Sequence, residues 1–300
     1  KRIQQKVAEG RWEVTGGWWV EADTNLPTET SFYKHAELSR VFVREHFGKD
    51  IVVAYLPDSF GHPATLPKIL ATTGFKYFIF CRPNPREKPD LPGNLFYWEY
   101  EGHRVLAYRL KHHYLQYGIK APETVDAERL LRLLKDEEYS TNPVNCYFFG
   151  VGNHGGGPAI AEIEFYNQFI AQQPADEVNY STCLRFFQEA SQIPNIPVYR
   201  GDLHMHAVGC YSVLRDVKHT MRHCEQRLQF TTRVLEMAGK SEQLLVPLWK
   251  KTLFNQFHDI LPGSCSRAAA EQAQRELGGV ISACADTAYR ELKSMSRGAP

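Results

Sequence analysis

One segment of the chain places a carboxylate directly after a strand that the sequence predicts to be buried. The segment is 55–61 (YLPDSFG), in which Asp58 follows the apolar, β-branched run 51–56. The helix predicted over 63–74 comes next. A carboxylate between a buried strand and the following helix lies on the face where α/β barrels carry their chemistry. A turn cap is the alternative role for Asp58 on this evidence alone.

A second segment, 253–265 (LFNQFHDILPGSC), combines an imidazole with a carboxylate. His258 follows a helix predicted over 241–256, and Asp259 is its neighbour. Imidazole is the commonest metal ligand among side chains, and an adjacent carboxylate can orient a ligand or accept a sugar hydroxyl. A local helix-end feature is the alternative for an isolated His-Asp pair.

Further polar and aromatic residues have the chemistry of a carbohydrate site. Glu21 and Asp23 are two positions apart, so on a strand they share a face, and Trp18 precedes them. Carboxylates bind hydroxyls and an indole covers the apolar face of a sugar ring. Solvated charges at a strand end are the alternative. Phe60 and Tyr114 are further candidates to line the cleft, and core packing is the alternative for Tyr114.

Composition excludes several other classes of protein. Lys plus Arg number 35 against 34 Asp plus Glu, so no net field attracts nucleic acid or a membrane surface. No apolar run approaches the ~18 residues of a membrane-spanning helix. The seven cysteines are odd in number and form no Cys-x-x-Cys pair, which favours buried free thiols and a reducing, cytoplasmic location. The oligomeric state stays open.

The pattern of elements predicts two domains. Strand-like and helix-like segments alternate over the first ~190 residues, with strands predicted over 16–22, 51–56, 77–81 and 144–150 and a hairpin around residues 101–103. This alternation indicates an α/β architecture with a parallel sheet. Apolar residues from 214 to 238 then step by three and four, the rhythm of a packed helix seam. Two more helices are predicted to follow. We therefore expect an α/β domain over 1–195 and a three-helix bundle over 196–300.

Four separated motifs together resemble glycoside hydrolase family 38, the zinc-dependent retaining α-mannosidases of the cytosolic type. They are, in order, 17–27 (GWWVEADTNLP), 55–61, 155–158 (GGGP) and 253–265. The resemblance implies a (β/α)7-type catalytic barrel followed by an all-α three-helix bundle, with zinc at their junction. It also implies a mannose-containing glycan as substrate.

The resemblance assigns roles to individual residues. Asp58 would be both the catalytic nucleophile and a zinc ligand, and His258 would be a second zinc ligand. The family's other two ligands belong to a His-x-His-x-Asp motif on the first barrel strand, which this sequence lacks. Since the sequence has no initiator Met and residues 1–10 read as the end of a helix, we expect that motif upstream of Lys1.

The glycine-rich segment 152–158 (GNHGGGP) departs from the family pattern. Relatives carry an Asp here, near the acid/base position, whereas this chain has Asn153 with His154 beside it. An amide is no useful proton donor, whereas imidazole has an ordinary pKa of ~6.5. His154 is therefore the candidate acid/base and Asn153 a candidate positioning residue. A phosphate-binding loop is excluded because no Gly-Lys-Ser/Thr follows.

The sequence thus favours zinc-dependent retaining hydrolysis of α-mannosidic bonds, with two alternatives. A metal-dependent carbohydrate deacetylase would use Asp and His ligands to activate water, but it leaves the motif around His258 unexplained. A non-catalytic glycan-binding remnant is suggested by Asn153 and by the missing ligand motif.

Overall fold

The computed structural model of the chain describes residues 1–110, 114, 143–150, 157–174, 177–204 and 206–297. The chain divides into two compact units. Unit 1 comprises residues 1–16, 43–58 and 64–203, and unit 2 comprises residues 17–42, 59–63 and 204–300. The predicted domain boundary at 195/196 stays a prediction.

In its described residues, unit 1 contains a mixed sheet of five strands in the order β1-β2-β4-β3-β5. Strands β1, β2 and β4 are parallel to one another, β3 is antiparallel to β4, and β5 is parallel to β3. Its strands are β1 Val53–Leu56, β2 Tyr77–Phe80, β3 Leu95–Tyr100, β4 His103–Arg109 and β5 Val198–Tyr199. The mixed α/β class is therefore confirmed, whereas the closed barrel stays a prediction.

The hairpin predicted around residues 101–103 is present. Strands β3 and β4 are joined by Glu101 and Gly102, which have φ values of 48° and 77°. Positive φ at both central residues matches the right-handed twist of the flanking strands, which is why such turns close two-residue hairpins.

Two predicted strands do not form. Residues 16–22 take part only in isolated bridges, and residues 144–150 have no regular secondary structure. The phenol of Tyr108 donates to the Cys146 carbonyl at 3.3 Å and accepts from the Cys146 N–H at 3.1 Å. A side chain thus takes the backbone hydrogen bonds that a neighbouring strand would have made.

One helix of unit 1 packs on an apolar core formed by the sheet. The core includes Val53, Ile79 and Leu106 from the strands and Phe186 and Phe187 from a helix. Among the described residues, the helices wholly within this unit are α1 Arg2–Ala8, α3 Leu66–Thr72, α4 Ile160–Ala171 and α5 Cys183–Ala190. Helix α2, Glu29–Phe47, belongs to unit 2 up to Phe42.

Unit 2 is mainly helical. The predicted apolar seam is present, because Val217, Met221, Cys224, Leu228 and Leu235 are all buried. Together with Leu38 of α2, residues from all three later helices form one core, so those three helices do not build the core alone. They are α6 Arg215–Met237, α7 Val246–Phe254 and α8 Arg267–Arg297, and short 3-10 helices cover Val208–Ser212 and Glu242–Leu245.

The cysteines are all free thiols. Burial raises the pKa of the thiols of Cys81, Cys146 and Cys224 to about 12. These thiols are therefore protonated and poorly nucleophilic. As for membranes, none of the helices in the described ranges is both long and apolar enough to cross one.

Candidate active site

Asp58 and Arg82 form an ion pair at one edge of the sheet in unit 1. Asp58 lies two residues beyond Leu56, the last residue of β1, and Arg82 lies two residues beyond Phe80, the last of β2. Leu56 and Phe80 are register partners. Arg82 Nε lies 2.5 Å from Asp58 Oδ1, and both side chains are about four-fifths buried, at 22% and 18% exposed. This is the carboxyl edge of parallel strands, where α/β proteins bind ligands.

The phenol of Tyr114 belongs to the same cluster. Burial raises its pKa, and hydrogen bonding to Asp58 and the charge of Asp58 raise it further, against the opposing effect of Arg82. Burial also lowers the pKa of Arg82, but Asp58 and Tyr114 more than offset this and raise it. Asp58 is therefore held by a permanent cation and a neutral phenol. A carboxylate fixed in this way can act as a nucleophile.

His258 of unit 2 is held by two hydrogen bonds to one carbonyl. Its backbone N–H donates to the Glu21 carbonyl at 3.1 Å, and its Nδ1 lies 2.9 Å from the same oxygen. A carbonyl can only accept, so Nδ1 carries a proton, and in the neutral imidazole Nε2 then carries the lone pair. An Nδ1–H bound to a backbone carbonyl is the arrangement that orients metal-ligating histidines.

The segment bearing His258 is positioned by a short antiparallel pairing. Helix α7 ends at Phe254, and an isolated bridge then joins Phe257 to Ala22. The Asp23 N–H donates to the Gln256 carbonyl at 2.9 Å on the other side of this bridge. Residues 21–23 therefore form no regular strand, but their backbone pairs with residues 256–258 and so fixes the position of His258.

The remaining predicted residues of unit 2 occupy different environments. Phe60 is buried and packs edge-on against His258 at 6.0 Å and against His206 at 5.5 Å between ring centroids. Trp18 is buried against Phe32. Asp259 accepts a hydrogen bond from the Ser264 hydroxyl at 2.6 Å. Phe60 therefore lies beside His258, whereas Trp18 is part of a buried aromatic pair.

Asp23 is fully buried, and both of its carboxylate oxygens are bonded within unit 2. Oδ1 accepts from the N–H groups of Asn25 and Leu26 at 2.9 and 2.7 Å, and Oδ2 accepts from the Tyr211 hydroxyl at 2.7 Å. Burial raises the pKa of Asp23, although these hydrogen bonds oppose the rise. Glu21, by contrast, is partly exposed. Asp23 thus anchors the chain after the bridge, and its sugar-binding role stays a prediction.

Sequence reasoning missed two residues of these clusters, Arg82 and Tyr211. The rule that selected Asp58 would have selected Arg82, because both follow the end of a buried parallel strand. For Tyr211 the sequence gives a segment, 209–212, that resembles a family motif but assigns it no role, since its partner Asp23 is 188 positions away. The candidates Asn153 and His154 lie outside the described residues.

The predicted zinc ligands lie in different units, Asp58 in unit 1 and His258 in unit 2. Within the described ranges, no three or more His, Cys, Asp or Glu side chains are grouped so as to hold a metal ion. A zinc ion shared by Asp58 and His258 stays a prediction.

Two known protein families match consecutive parts of the chain. Residues 1–202 match the N-terminal domain of the glycosyl hydrolases family 38, and residues 205–295 match the alpha mannosidase middle domain. Among curated relatives, alpha-mannosidase 2C1 of Homo sapiens is 28% identical over 91% of this chain and 27% of its own length. Alpha-mannosidase G of Dictyostelium discoideum is 29% identical over 90% of this chain and 25% of its own length.

Solved structures share the fold. The crystal structure of an alpha-mannosidase from Enterococcus faecalis V583 superposes with a TM-score of 0.81 and 17% identity, covering 97% of this chain and 35% of that chain. A second family 38 protein from Enterococcus faecalis gives a TM-score of 0.71 and 14% identity, covering 97% of this chain and 32% of that chain. The chain thus spans about a quarter of the length of the curated relatives, 27% and 25%. With the family 38 domain matched over residues 1–202, the chain belongs to the glycosyl hydrolases family 38.

Proposed function

We propose that this chain is the catalytic part of an α-mannosidase that hydrolyses α-mannosidic bonds of oligosaccharides or glycan fragments with retention of configuration. The observation that carries the proposal is Asp58, held by Arg82 and Tyr114 at the carboxyl edge of the sheet. Membership of family 38 and the alpha-mannosidase names of the curated relatives support the substrate class.

In the proposed reaction, the carboxylate of Asp58 attacks the anomeric carbon as the glycosidic bond breaks. The leaving oxygen takes a proton from a general acid, and a glycosyl ester forms on Asp58. Water, deprotonated by the same group, then attacks the anomeric carbon, which releases mannose and regenerates the carboxylate. Arg82 and Tyr114 keep Asp58 in the orientation that attack requires.

We also propose that zinc is the cofactor, with ligands from Asp58 and His258. The tautomer of His258 fits this role, because the Glu21 carbonyl fixes Nδ1–H and leaves the lone pair on Nε2. A tetrahedral ion requires ligands beyond these two. When bound, zinc would coordinate neighbouring hydroxyl oxygens of mannose and so hold the sugar in the orientation that attack by Asp58 requires.

His154 is the proposed general acid, with Asn153 positioning a hydroxyl. The proposed sugar contacts are Trp18, Glu21, Asp23, Phe60, Tyr114 and Asp259. Of these, Tyr114 is supported by its hydrogen bond to Asp58 and Phe60 by its contact with His258.

The finer architecture is proposed on the same basis. We expect a (β/α)7-type barrel followed by a three-helix bundle, as the resemblance to the family implies. The proposed cytoplasmic location is supported by the free cysteines.

A covalent trap tests the nucleophile. A fluorinated mannosyl donor, which forms the glycosyl ester but hydrolyses slowly, should label Asp58 in the wild type, and Asp58→Ala should abolish hydrolysis of an aryl α-mannoside. Because Asp58 is also a proposed ligand, loss of activity alone does not separate its two roles. If peptide mapping places the label on another carboxylate, Asp58 is not the nucleophile. If the protein is not labelled but releases acetate from an acetylated sugar, it is a deacetylase.

Elemental analysis tests the metal. We expect close to one zinc per intact chain, and His258→Ala should lower zinc affinity sharply because a ligand is lost. Unchanged zinc content in this variant would contradict the assignment of His258 as a ligand.

A further inference from the structure

A single buried carboxylate in unit 2 holds both segments of the pairing that positions His258. Glu225 of α6 is 0% exposed. Its Oε1 accepts hydrogen bonds from the backbone N–H and the hydroxyl of Thr28, at 2.8 and 3.0 Å, and from the side-chain amide of Gln256 at 3.1 Å. Thr28 follows the 21–23 side of the bridge, and Gln256 lies on the other side. One oxygen atom therefore connects the two segments.

The amide of Gln256 is oriented by groups of opposite hydrogen-bonding character. Its Nε2 faces the Glu225 carboxylate and also donates to the Ser31 hydroxyl at 3.1 Å. Its Oε1 lies 3.0 Å from His35 Nε2. An amide oxygen only accepts, so His35 Nε2 carries a proton. Burial lowers the pKa of His35 to about 4, so the ring is neutral at physiological pH.

The hydrogen bonds of the Gln256 side chain affect His258 through the backbone, because the two residues are only two positions apart. The Gln256 carbonyl accepts from the Asp23 N–H at 2.9 Å, and the His258 N–H donates to the Glu21 carbonyl at 3.1 Å. With the Gln256 side chain fixed to Glu225, the segment 256–258 cannot slide along 21–23. A shift along the pairing would take His258 Nδ1 away from the Glu21 carbonyl, which lies 2.9 Å from it.

Stability alone does not account for a buried charge at this position. Removing a carboxylate from water is unfavourable, and well-packed apolar groups often replace such charges without loss of stability. Here the cost is offset by the donors on Oε1, which include the Ser31 hydroxyl at 2.6 Å, and by Arg222 Nη1, which donates to Oε2 at 2.8 Å. What an apolar pair could not supply is directional bonding that fixes the register of the bridge.

We propose that Glu225 and Gln256 are positioning residues that hold the His258 imidazole, and through it His258 Nε2, in one orientation. The part concerning metal rests on the proposed zinc-ligand role of His258. The part concerning imidazole orientation rests only on the hydrogen bonds within unit 2.

The experiment compares Gln256→Leu and Glu225→Gln with the wild type, using the full chain. The first readout is the Nδ1–H proton signal of His258 in protein labelled with ¹⁵N at histidine, identified by its loss in His258→Ala. The second is the dissociation constant for zinc alone, measured well below the melting temperature of every variant. We expect Gln256→Leu to abolish or broaden the Nδ1–H signal and to weaken zinc binding ~10–100-fold. Glu225→Gln keeps one accepting oxygen, so its effects should be smaller.

Leu235→Ala is the matched control for a general loss of stability. Leu235 is fully buried in the core of the same unit and is absent from the network. This variant should lower the melting temperature while preserving the Nδ1–H signal and zinc affinity. The proposal is overturned if Gln256→Leu keeps both properties within twofold of the wild type, or if Leu235→Ala weakens them equally.

His258→Ala separates failure of this proposal from failure of the zinc assignment. If it leaves zinc affinity unchanged while Gln256→Leu abolishes the Nδ1–H signal, then His258 is not a ligand but the positioning network stands. If His258→Ala weakens zinc binding and Gln256→Leu changes neither readout, then the ligand assignment stands and the positioning role is refuted.

Discussion

Asp58 and Arg82 each lie two residues beyond one member of a pair of facing residues on neighbouring parallel strands. Leu56 of β1 pairs with Phe80 of β2, and the side chains two residues further along meet as an ion pair with 2.5 Å between Nε and Oδ1. Equal offsets from a fixed register place the two side chains at the same height of the sheet. The position of the proposed nucleophile is therefore set by the sheet itself.

Arg82→Met should lower kcat/KM for an aryl α-mannoside ~10²-fold, because a carboxylate without its partner loses the attacking geometry. Steady-state kinetics measure the effect, and Arg82→Lys should retain part of the activity through its charge. Arg200→Ala is the control: Arg200 pairs with Glu99 at 2.7 Å but is 67% exposed, so its loss should leave kcat/KM unchanged. Wild-type activity in Arg82→Met would show that the ion pair does not orient Asp58.

A leaving-group series tests the glycine-rich segment. If His154 is the general acid, His154→Ala should slow substrates with poor leaving groups ~10²–10⁴-fold and activated aryl glycosides only weakly, since a phenolate needs little protonation. Asn153→Asp, which restores the family carboxylate, should raise or at least retain activity on the poor leaving groups. Equal losses across the series would mean that the acid lies elsewhere.

Tyr211→Phe should destabilise unit 2 by about 1–3 kcal/mol, because it leaves a buried oxygen of Asp23 without its donor. That hydrogen bond measures 2.7 Å, and Asn25 Nδ2 donates to the same hydroxyl at 2.8 Å. Urea unfolding measures the change. Tyr33→Phe serves as the control, since Tyr33 is an exposed residue bonded to Glu29 on its own helix and should change stability by less than ~0.5 kcal/mol.

Acid should destabilise the fold through His35. Burial lowers its pKa from 6.5 to about 4, so between these pH values the unfolded chain binds a proton that the folded chain does not. The stability contribution is therefore complete above pH ~6.5 and is lost as the pH falls to ~4, amounting to about 3 kcal/mol. Burial lowers the pKa of His62 in the same direction, to about 3.

Urea unfolding at pH 7 and pH 4.5 isolates the part due to His35. His35→Gln keeps a donor for Gln256 but does not titrate, so it should lose about 2–3 kcal/mol less stability than the wild type over this interval. An equal loss in both proteins would show that His35 takes up no proton on unfolding.

The sequence predicted the elements whose pattern is local. The strand over 51–56 and the helical seam from Val217 to Leu235 follow from runs and periodicity that a short window contains. The predicted strand over 144–150 does not form, and at Cys146 both backbone groups bond instead to the phenol of Tyr108, 38 positions earlier. No local pattern carries that information.

In the candidate site, too, the sequence predicted the features that are local and missed those that depend on the fold. Asp58 and His258 were found because each lies in a distinctive short segment. The pairing of each with the residue that fixes it, Arg82 with Asp58 and Glu21 with His258, is given only by the fold. Glu21 was predicted for its carboxylate, yet it is its backbone carbonyl that orients His258. The element that supplies a carbonyl cannot be identified from side-chain chemistry.

The division of unit 2 into three sequence stretches has a consequence for its synthesis. The hydrogen bond between Ser31 and Gln256 joins residues 225 positions apart. Ribosomes add roughly 5–20 residues per second, so the early segment waits roughly 10–45 s for this partner. Until α8 is synthesised, the apolar side chain of Leu38 lacks part of the cover that residues of α6, α7 and α8 provide in the finished core. The nascent chain therefore has a period, ended only by the emergence of α8, in which chaperone binding competes with aggregation.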